Sequence, residues 1–432
     1  METKQLLDYC WKHKLIGEGF CTSDGKRVDV TDSGLHNRNQ GPTFFNAKIR
    51  IEHTLWVGNV QTLECSSDWY VNMFDRDFKY DNVILIVCHK IDSEPINSKG
   101  EKIPVAQIEI PENVTRNYGA LTGIGGDMLC HYHITEYTTN LIRHAWLAAM
   151  QTEWIEEKAD HISELYKSIK DWDSVWIISL FRSFGFVVND GAMEQLAKSI
   201  PLNALAFHND DLFQIEAVIF GQAGLLELDT IPEDLQKHAL NEGYFAKLRN
   251  EYLYLAHKYS MKPMAGSLWK PLGTGCQKYV HVFLSVLANY IYQWRLTKSV
   301  PLARESAKQM YDVLSIKATP YWQMHYHFGA VTKKSEKGLS LDRKSLIMAS
   351  SFIPFLFCYG RRMQEEKFCD TAFDIMEQMK RFSTAETKCF EKVGYAPETA
   401  GDAIAMIQLK REYCDKKDCL RCRFGFEFIK KH

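Results

Sequence analysis

The sequence predicts an α+β protein in which a small N-terminal mixed α/β sheet domain precedes a large all-α domain. Strand-like alternation is confined to the first third of the chain, and helical spacing of apolar residues dominates the rest. A chain of 432 residues also exceeds what one hydrophobic core ordinarily supports. We therefore expect two domains, at residues 1–128 and 129–432, the second ending in a cysteine-containing tail.

The strand predictions come from residues 45–110. Apolar and polar residues alternate strictly over 45–52, which is typical of a half-buried strand, and 55–64 follows closely enough to form a hairpin with it. Residues 83–88 are apolar throughout, which favours a strand covered on both faces. Residues 103–110 predict an edge strand, because Pro104 is tolerated there.

A glycine-rich stretch at 119–126 marks the predicted domain boundary. Beyond it, apolar residues recur at helical spacing in segment after segment. These segments are residues 141–169, 192–205, 212–226, 244–259, 279–294, 346–359, 371–379 and 402–412.

Composition excludes several protein classes. The formal net charge of -2 gives no global field for attraction to nucleic acid or anionic lipid, so any such contact must be local. The N-terminus has no apolar secretory region, and no apolar run approaches the ~18 residues that span a bilayer. The sequence therefore predicts a cytoplasmic protein with no membrane contact and with reduced, mostly buried thiols.

Motifs with a specific resemblance lie along nearly the whole chain. They include GPTFFNAKI at 41–49, WVGNVQ at 56–61, SSDWY at 66–70, RSFGF at 182–186, FGQAG at 220–224 and YCDKK at 413–417. By these motifs the chain resembles an uncharacterised bacterial family, domain-of-unknown-function family 2851. In that family the first motif usually has G-P-D-F and the second G-N-V-E-I-H, which is similar to the P-D…(D/E)-x-K layout of restriction-endonuclease-like folds.

The nuclease layout needs two carboxylates at adjacent strand ends to hold Mg²⁺, and a basic group on the same face to orient water. In this chain Thr43, Gln61 and Leu63 stand at the aligned positions, and Asn72 and Phe74 stand where the family pattern tends to carry histidines. All five differences remove charge or metal-binding capacity. The resemblance therefore implies a nuclease-like scaffold with a degenerate site.

Two alternatives stay open for this region. The family pattern can describe surface hydrogen bonds that never served catalysis. An active site can also have been relocated to His36, Glu64, Asp68 and Asp77, which lie near the same strands in sequence. Each of these four is better explained as a solvated loop residue or a turn cap.

The terminal cysteines Cys414, Cys419 and Cys422 have the spacing of metal ligands, suited to zinc or an iron–sulfur cluster. A fourth ligand would have to come from upstream, with Cys369, Cys389 or a histidine available. Neighbouring basic residues would favour the thiolate form. The alternative is three unliganded or oxidised thiols.

Two basic groups in the sequence are candidates for local contact with nucleic acid. The first contains Lys333, Lys334, Lys337, Arg343 and Lys344, and the second contains Lys416, Lys417, Arg421 and Arg423. Such groups are more often solvated surfaces. His325 and His327 are possible metal ligands, although a satisfied structural role is the simpler interpretation.

Three function classes follow. The first is a degenerate nuclease-like scaffold with a binding or regulatory role, the second a metal-dependent phosphodiesterase that uses displaced acidic residues, and the third a structural module for protein–protein interaction. The sequence favours the first, a protein that is not an enzyme.

Overall fold

The computed structural model describes residues 2–16, 20–37, 40–123, 134–272, 279–295 and 297–431. The chain divides into two compact units. The sheet unit comprises Met1–Arg143 and Arg411–His432, and the helical unit comprises His144–Lys410. A mixed sheet near the N-terminus followed by many helices confirms the predicted α+β class.

Six strands lie in the described residues and form one mixed sheet. They are β1 Val28–Asp32, β2 Leu35–His36, β3 Phe44–Ile51, β4 Thr54–Cys65, β5 Val83–Lys90 and β6 Val105–Gln107. The strand order is β1-β3-β4-β5-β6, and β2 also pairs with β3. Pairing is antiparallel from β1 to β4 and parallel from β4 to β6.

The helices are distributed over both units. They are α1 Glu2–Lys12, α2 Asp68–Val71, α3 Glu112–Gly123, α4 Asn140–Ile169, α5 Trp172–Ser183, α6 Asp190–Ser199, α7 Leu202–Ala206, α8 Leu212–Gln222, α9 Glu233–Glu242, α10 Tyr244–Tyr259, α11 His281–Trp294, α12 Ser299–Leu302, α13 Ala307–Val313, α14 Leu341–Ile347, α15 Ile353–Met363, α16 Glu366–Gln378, α17 Ala385–Glu391, α18 Ala400–Gln408 and α19 Arg423–Lys430. Short π-helical segments occupy Met348–Phe352 and Leu409–Cys414.

The predicted hairpin of β3 and β4 is confirmed, with Ile51 opposite Thr54 at its turn. Strand β5 is covered on both faces, as predicted. Leu85 and Val87 belong to the core under α1, whereas Ile86 and Cys88 belong to a second core with Trp69. The edge position of β6, directly after Pro104, is also confirmed.

The sequence prediction missed β1 and β2. Strand β1 alternates valine with aspartate and threonine, and β2 has two residues, so neither carries a strong apolar period. Their pairing with β3 comes from the tertiary structure.

The compact units differ from the predicted domains in two respects that the described residues show: residues 134–143 belong to the sheet unit, and so does the tail. The C-terminal segment from Arg411 groups with the sheet unit, whereas the sequence placed the tail with the helical domain. The physical reason is that α19 packs against α3 and α1, where Ile429 is fully buried beside Val114 and Leu6. The predicted break between 128 and 129 lies outside the described residues. The glycine-rich stretch is helical through residue 123.

The helical unit has one continuous apolar core that includes Trp154, Trp176, Phe220 and Phe352. The predicted segments at 141–169 and 244–259 correspond to α4 and α10. The segment at 346–359 is divided between α14, the π-helical Met348–Phe352 and α15. No helix among the described residues is long and apolar enough to cross a membrane.

The C-terminal helix gives a direct test of the sheet unit's composition. We expect Ile429→Ala to lower the free energy of unfolding of the sheet unit by about 3 kcal/mol, because a fully buried side chain is removed from a packed cluster. Lys430→Ala, an exposed change in the same helix, serves as control and is expected to stay within ~0.5 kcal/mol. Urea unfolding measures both, and equal values would contradict the packing described for α19.

Candidate functional site

Thr43 and Gln61 lie together where β3 begins beside β4. The backbone N–H of Thr43 donates to Oε1 of Gln61 at 3.0 Å, and Nε2 of Gln61 donates to the carbonyl of Thr62 at 3.1 Å. The Thr43 hydroxyl oxygen accepts from the backbone N–H of Thr62 at 3.4 Å. The Gln61 amide therefore links β4 to the residue that precedes β3.

Leu63 occupies the same face of β4 as Gln61, because side chains two residues apart in a strand point the same way. It is buried in the core that contains Trp69 and Ile86. Gln61 and Leu63 therefore share a face of β4, whereas Thr43 meets Gln61 through its backbone N–H and directs its hydroxyl toward Thr62 on the other face. All three side chains are neutral and buried, and all three have structural contacts.

The opposite face of β4 carries a second polar cluster. The Thr62 hydroxyl donates to Oδ1 of Asp8 on α1 and lies 3.1 Å from the Thr43 hydroxyl. Asp8 Oδ2 lies 3.3 Å from Nζ of Lys4 and 4.0 Å from Nε2 of His36. Among the described residues, Asp8 supplies the carboxylate that lies against the Thr43–Thr62 pair, and the sequence prediction missed it.

A signal for Asp8 was present in the sequence but weak. Leu6, Leu7, Cys10 and Trp11 form the buried surface of α1, and Asp8 lies among them in sequence. A carboxylate within such a run indicates a buried partner. Its partner on β4, however, is 54 residues away, and only the tertiary structure identifies it.

The displaced candidates do not converge on one point. Asp68 Oδ2 accepts from the backbone N–H of Cys65 at 2.9 Å, and Asp77 Oδ1 accepts from that of Lys79 at 3.0 Å, so both cap turns. His36 stacks on Phe44 with ring centroids 4.9 Å apart, and Glu64 is half-buried at the end of β4. Among the described residues, no group of three or more His, Cys, Asp or Glu side chains is arranged to hold a metal ion.

Asn72 and Phe74 line a shallow cavity of about 410 Å³ together with Asp77. The Asn72 amide donates to the carbonyl of Asp68 at 2.8 Å, and the Phe74 ring stacks on Tyr80 with centroids 4.1 Å apart. Both side chains support the connection between β4 and β5. Neither extends the Thr43–Gln61 cluster.

Cys414, Cys419 and Cys422 lie in the sheet unit. In the described part of the chain, these three cysteines do not form a group that could hold a metal ion. Burial raises the pKa of the Cys419 thiol, with Asp418 adding to the rise, so the predicted thiolate stabilisation is wrong at that position. A zinc or iron–sulfur site here stays a prediction, and elemental analysis of reduced protein tests it.

The basic residues of the tail are balanced by acidic neighbours. Lys416 pairs with Glu412, Arg421 Nη1 lies 2.7 Å from Asp418, and Arg423 pairs with Glu427. Lys417 donates to the carbonyl of Thr122 at 3.0 Å. The tail therefore offers little uncompensated positive charge for a phosphate backbone.

The basic group of the helical unit is different. Lys337, Arg343 and Lys344 line a cavity of about 570 Å³, to which Lys317 also contributes. Lys333 and Lys334 are exposed in the loop that precedes Lys337. This cavity, which we call the basic pocket, is the strongest concentration of predicted binding residues in one described place.

His325 and His327 do not form a ligand pair. His325 Nε2 lies 3.1 Å from Oε1 of Glu242, and its Nδ1 lies 2.8 Å from the carbonyl of Tyr321. The His327 ring lies 4.3 Å from the ring of buried His281. The satisfied structural role predicted for His325 is confirmed.

A substitution at Gln61 tests its structural role. We expect Gln61→Glu to destabilise the protein by about 2 kcal/mol at neutral pH, because the amide that donates to the Thr62 carbonyl is replaced by a buried carboxylate. Burial raises the pKa of the introduced carboxyl above its unfolded value of about 4.3. The loss of stability is therefore small at pH values below the unfolded-state pKa and grows as the pH rises. Gln107→Glu, at an exposed position of β6, is the control.

Thermal unfolding of both variants across the pH range measures this difference. A Gln61→Glu protein as stable at neutral pH as the control would contradict the structural role.

The family comparison agrees with the motifs. The family model described as "Protein of unknown function (DUF2851)" matches residues 4–383. No curated protein and no solved structure matches the chain. Because the match covers most of the sequence, the chain belongs to the DUF2851 family.

Proposed function

We propose that the protein binds nucleic acid without hydrolysing it, with the sheet unit acting as a nuclease-like scaffold and the helical unit supplying the phosphate contacts. One observation carries this proposal: Thr43, Gln61 and Leu63, which stand where the family resemblance implies acidic and histidine residues, have neutral, buried side chains. Their polar atoms are used between the strands.

Metal-dependent phosphodiester hydrolysis needs carboxylates to seat Mg²⁺ and a group that activates water. Replacing a carboxylate by a threonine or an amide removes the charge that holds the cation. Asp8 is close to Thr43 but is engaged by the Thr62 hydroxyl and by Lys4. These contacts favour a scaffold role for the sheet unit over a catalytic one.

The charge distribution of the helical unit supports phosphate as the bound group. Lys337, Arg343 and Lys344 line one cavity, and Lys333 and Lys334 extend the positive surface along the loop. Lysine and arginine side chains that neutralise phosphates supply most of the affinity of sequence-independent nucleic-acid binding. A local basic surface of this kind allows contact with phosphate groups on a protein whose net charge is near zero.

The absence of hydrolysis has a direct assay. We expect purified protein to give no Mg²⁺- or Mn²⁺-dependent cleavage of labelled DNA or RNA. Thr43→Asp, Gln61→Glu and Leu63→His together are the smallest set of substitutions that we expect to move the protein toward cleavage activity. Turnover by the natural protein that Asp68→Ala or Asp77→Ala abolishes would overturn the proposal. It would favour the phosphodiesterase alternative.

Binding is measured separately from cleavage. We expect the protein to bind a labelled single-stranded oligonucleotide with a salt-dependent affinity, and Lys333→Ala with Lys334→Ala to reduce the slope of log affinity against log salt by about 1 to 2. Lys247→Ala, an exposed lysine of α10, is the matched control. Fluorescence anisotropy over a salt series reports both quantities. Affinity that does not change with salt, or that falls equally in the control, would contradict nucleic-acid binding through this surface.

A further inference from the structure

We propose that the basic pocket is a recognition site for a phosphate monoester, with Arg343 and Lys344 as its anchoring cations. This inference rests on the proposed function for one point, the identity of the molecule that carries the phosphate. The pocket itself is argued from its own contacts.

Arg343 is a cation whose charge is poorly compensated. Its guanidinium carbon lies 4.4 Å from the ring centre of Phe186 and 4.1 Å from that of Phe283. Nη1 is buried and has no hydrogen-bond partner among the described residues. Burial lowers the pKa of Arg343 to about 10. A desolvated guanidinium with an unpaired donor is costly. Arg343 also lines the cavity, where an anion would compensate its charge.

The turn that holds Phe186 is strained. Phe186 and Val187 both have positive φ, at 49° and 75°, and such values are rare for a β-branched residue. The Asp190 carboxylate fixes the turn by accepting from the backbone N–H of Val187 at 2.6 Å. A side chain at Gly185 would meet the backbone of Asn189 and Asp190 at 2.4–2.5 Å. Backbone strain of this kind is retained where it fixes the position of a side chain. Here it fixes the Phe186 ring against the Arg343 guanidinium.

The other walls of the pocket supply donors around Arg343. Lys344 Nζ donates to the hydroxyl of Ser315 at 2.7 Å, and burial lowers the pKa of Lys344. Neither Arg343 nor Lys344 forms an ion pair in the part of the chain that the structure describes. The lining has one carboxylate, Glu336, which pairs with Lys317 at 2.6 Å.

The charge of the pocket favours a monoester over a backbone diester. A phosphate monoester carries about -1.5 to -2 charges at neutral pH, which matches two cations that line one cavity, whereas a diester carries one. A cavity of about 570 Å³ is within the usual range of small-ligand pockets, and it can take a terminal phosphate with its sugar.

Calorimetry with four probes tests the inference. The probes are inorganic phosphate, adenosine monophosphate, adenosine, and one oligonucleotide with either a 5′-phosphate or a 5′-hydroxyl. We expect adenosine monophosphate to bind and adenosine not to bind, and the 5′-phosphorylated oligonucleotide to bind about tenfold more tightly than its 5′-hydroxyl form. Lys344→Gln and Arg343→Lys should each weaken monophosphate binding about tenfold, and Lys247→Ala should not.

The outcomes separate this inference from the proposed function. If no phosphorylated small probe binds at about 1 mM, or if Lys344→Gln and Arg343→Lys leave binding unchanged while remaining folded, the inference is wrong. If oligonucleotides bind equally with and without the 5′-phosphate, nucleic-acid binding stands and the monoester site does not. If adenosine monophosphate binds but neither oligonucleotide does, the pocket stands and the proposed function fails.

Discussion

The sheet unit depends on helix α1 being buried on two sides. Leu7 and Trp11 pack into the core beneath the sheet, while Leu6, Tyr9 and Cys10 pack against α3 and α19. Burial of side chains of this size contributes about 1.5–3 kcal/mol each. Because α19 lies at the end of the chain, the unit needs both termini to complete its core. The helical unit is therefore an insertion between two segments of the sheet unit, and it occupies residues 144–410 of the chain.

The same helix determines the polar contacts of the sheet. Asp8 lies between Leu7 and Tyr9 on α1, and it reaches the Thr62 hydroxyl of β4. The Thr62 hydroxyl in turn contacts the Thr43 hydroxyl, and the backbone N–H of Thr43 donates to Oε1 of Gln61. The space between α1 and the start of β3 is thus filled by hydrogen bonds between helix and strands. A water molecule or cation entering it would have to displace contacts that stabilise the fold.

Local periodicity explains what could be predicted from sequence. The hairpin of β3 and β4 and the helices α4 and α10 follow from patterns within a few turns or strands, and so does the proximity of Thr43 to Gln61. Contacts between distant segments could not be predicted in this way. The Asn117 amide, for example, donates to the carbonyl of Ile429 at 3.1 Å across 312 residues, and this contact accompanies the grouping of the tail with the sheet unit. Asp8 was missed for the same reason, since its partner lies on β4. Arg343 was named among the basic residues, but its contact with Phe186 could not be predicted.

The two polar regions differ in how their hydrogen-bonding capacity is used. At the sheet, the donors of Gln61, Thr62 and Thr43 that connect the strands have acceptors within the protein. At the basic pocket, Arg343 keeps a buried donor without an acceptor among the described residues, and a strained turn presents an aromatic ring to it. A satisfied network stabilises a fold, whereas an unsatisfied buried cation lowers stability unless a ligand supplies the anion. This difference in free energy is the physical reason why the proposed binding role is placed in the helical unit and the proposed scaffold role in the sheet unit.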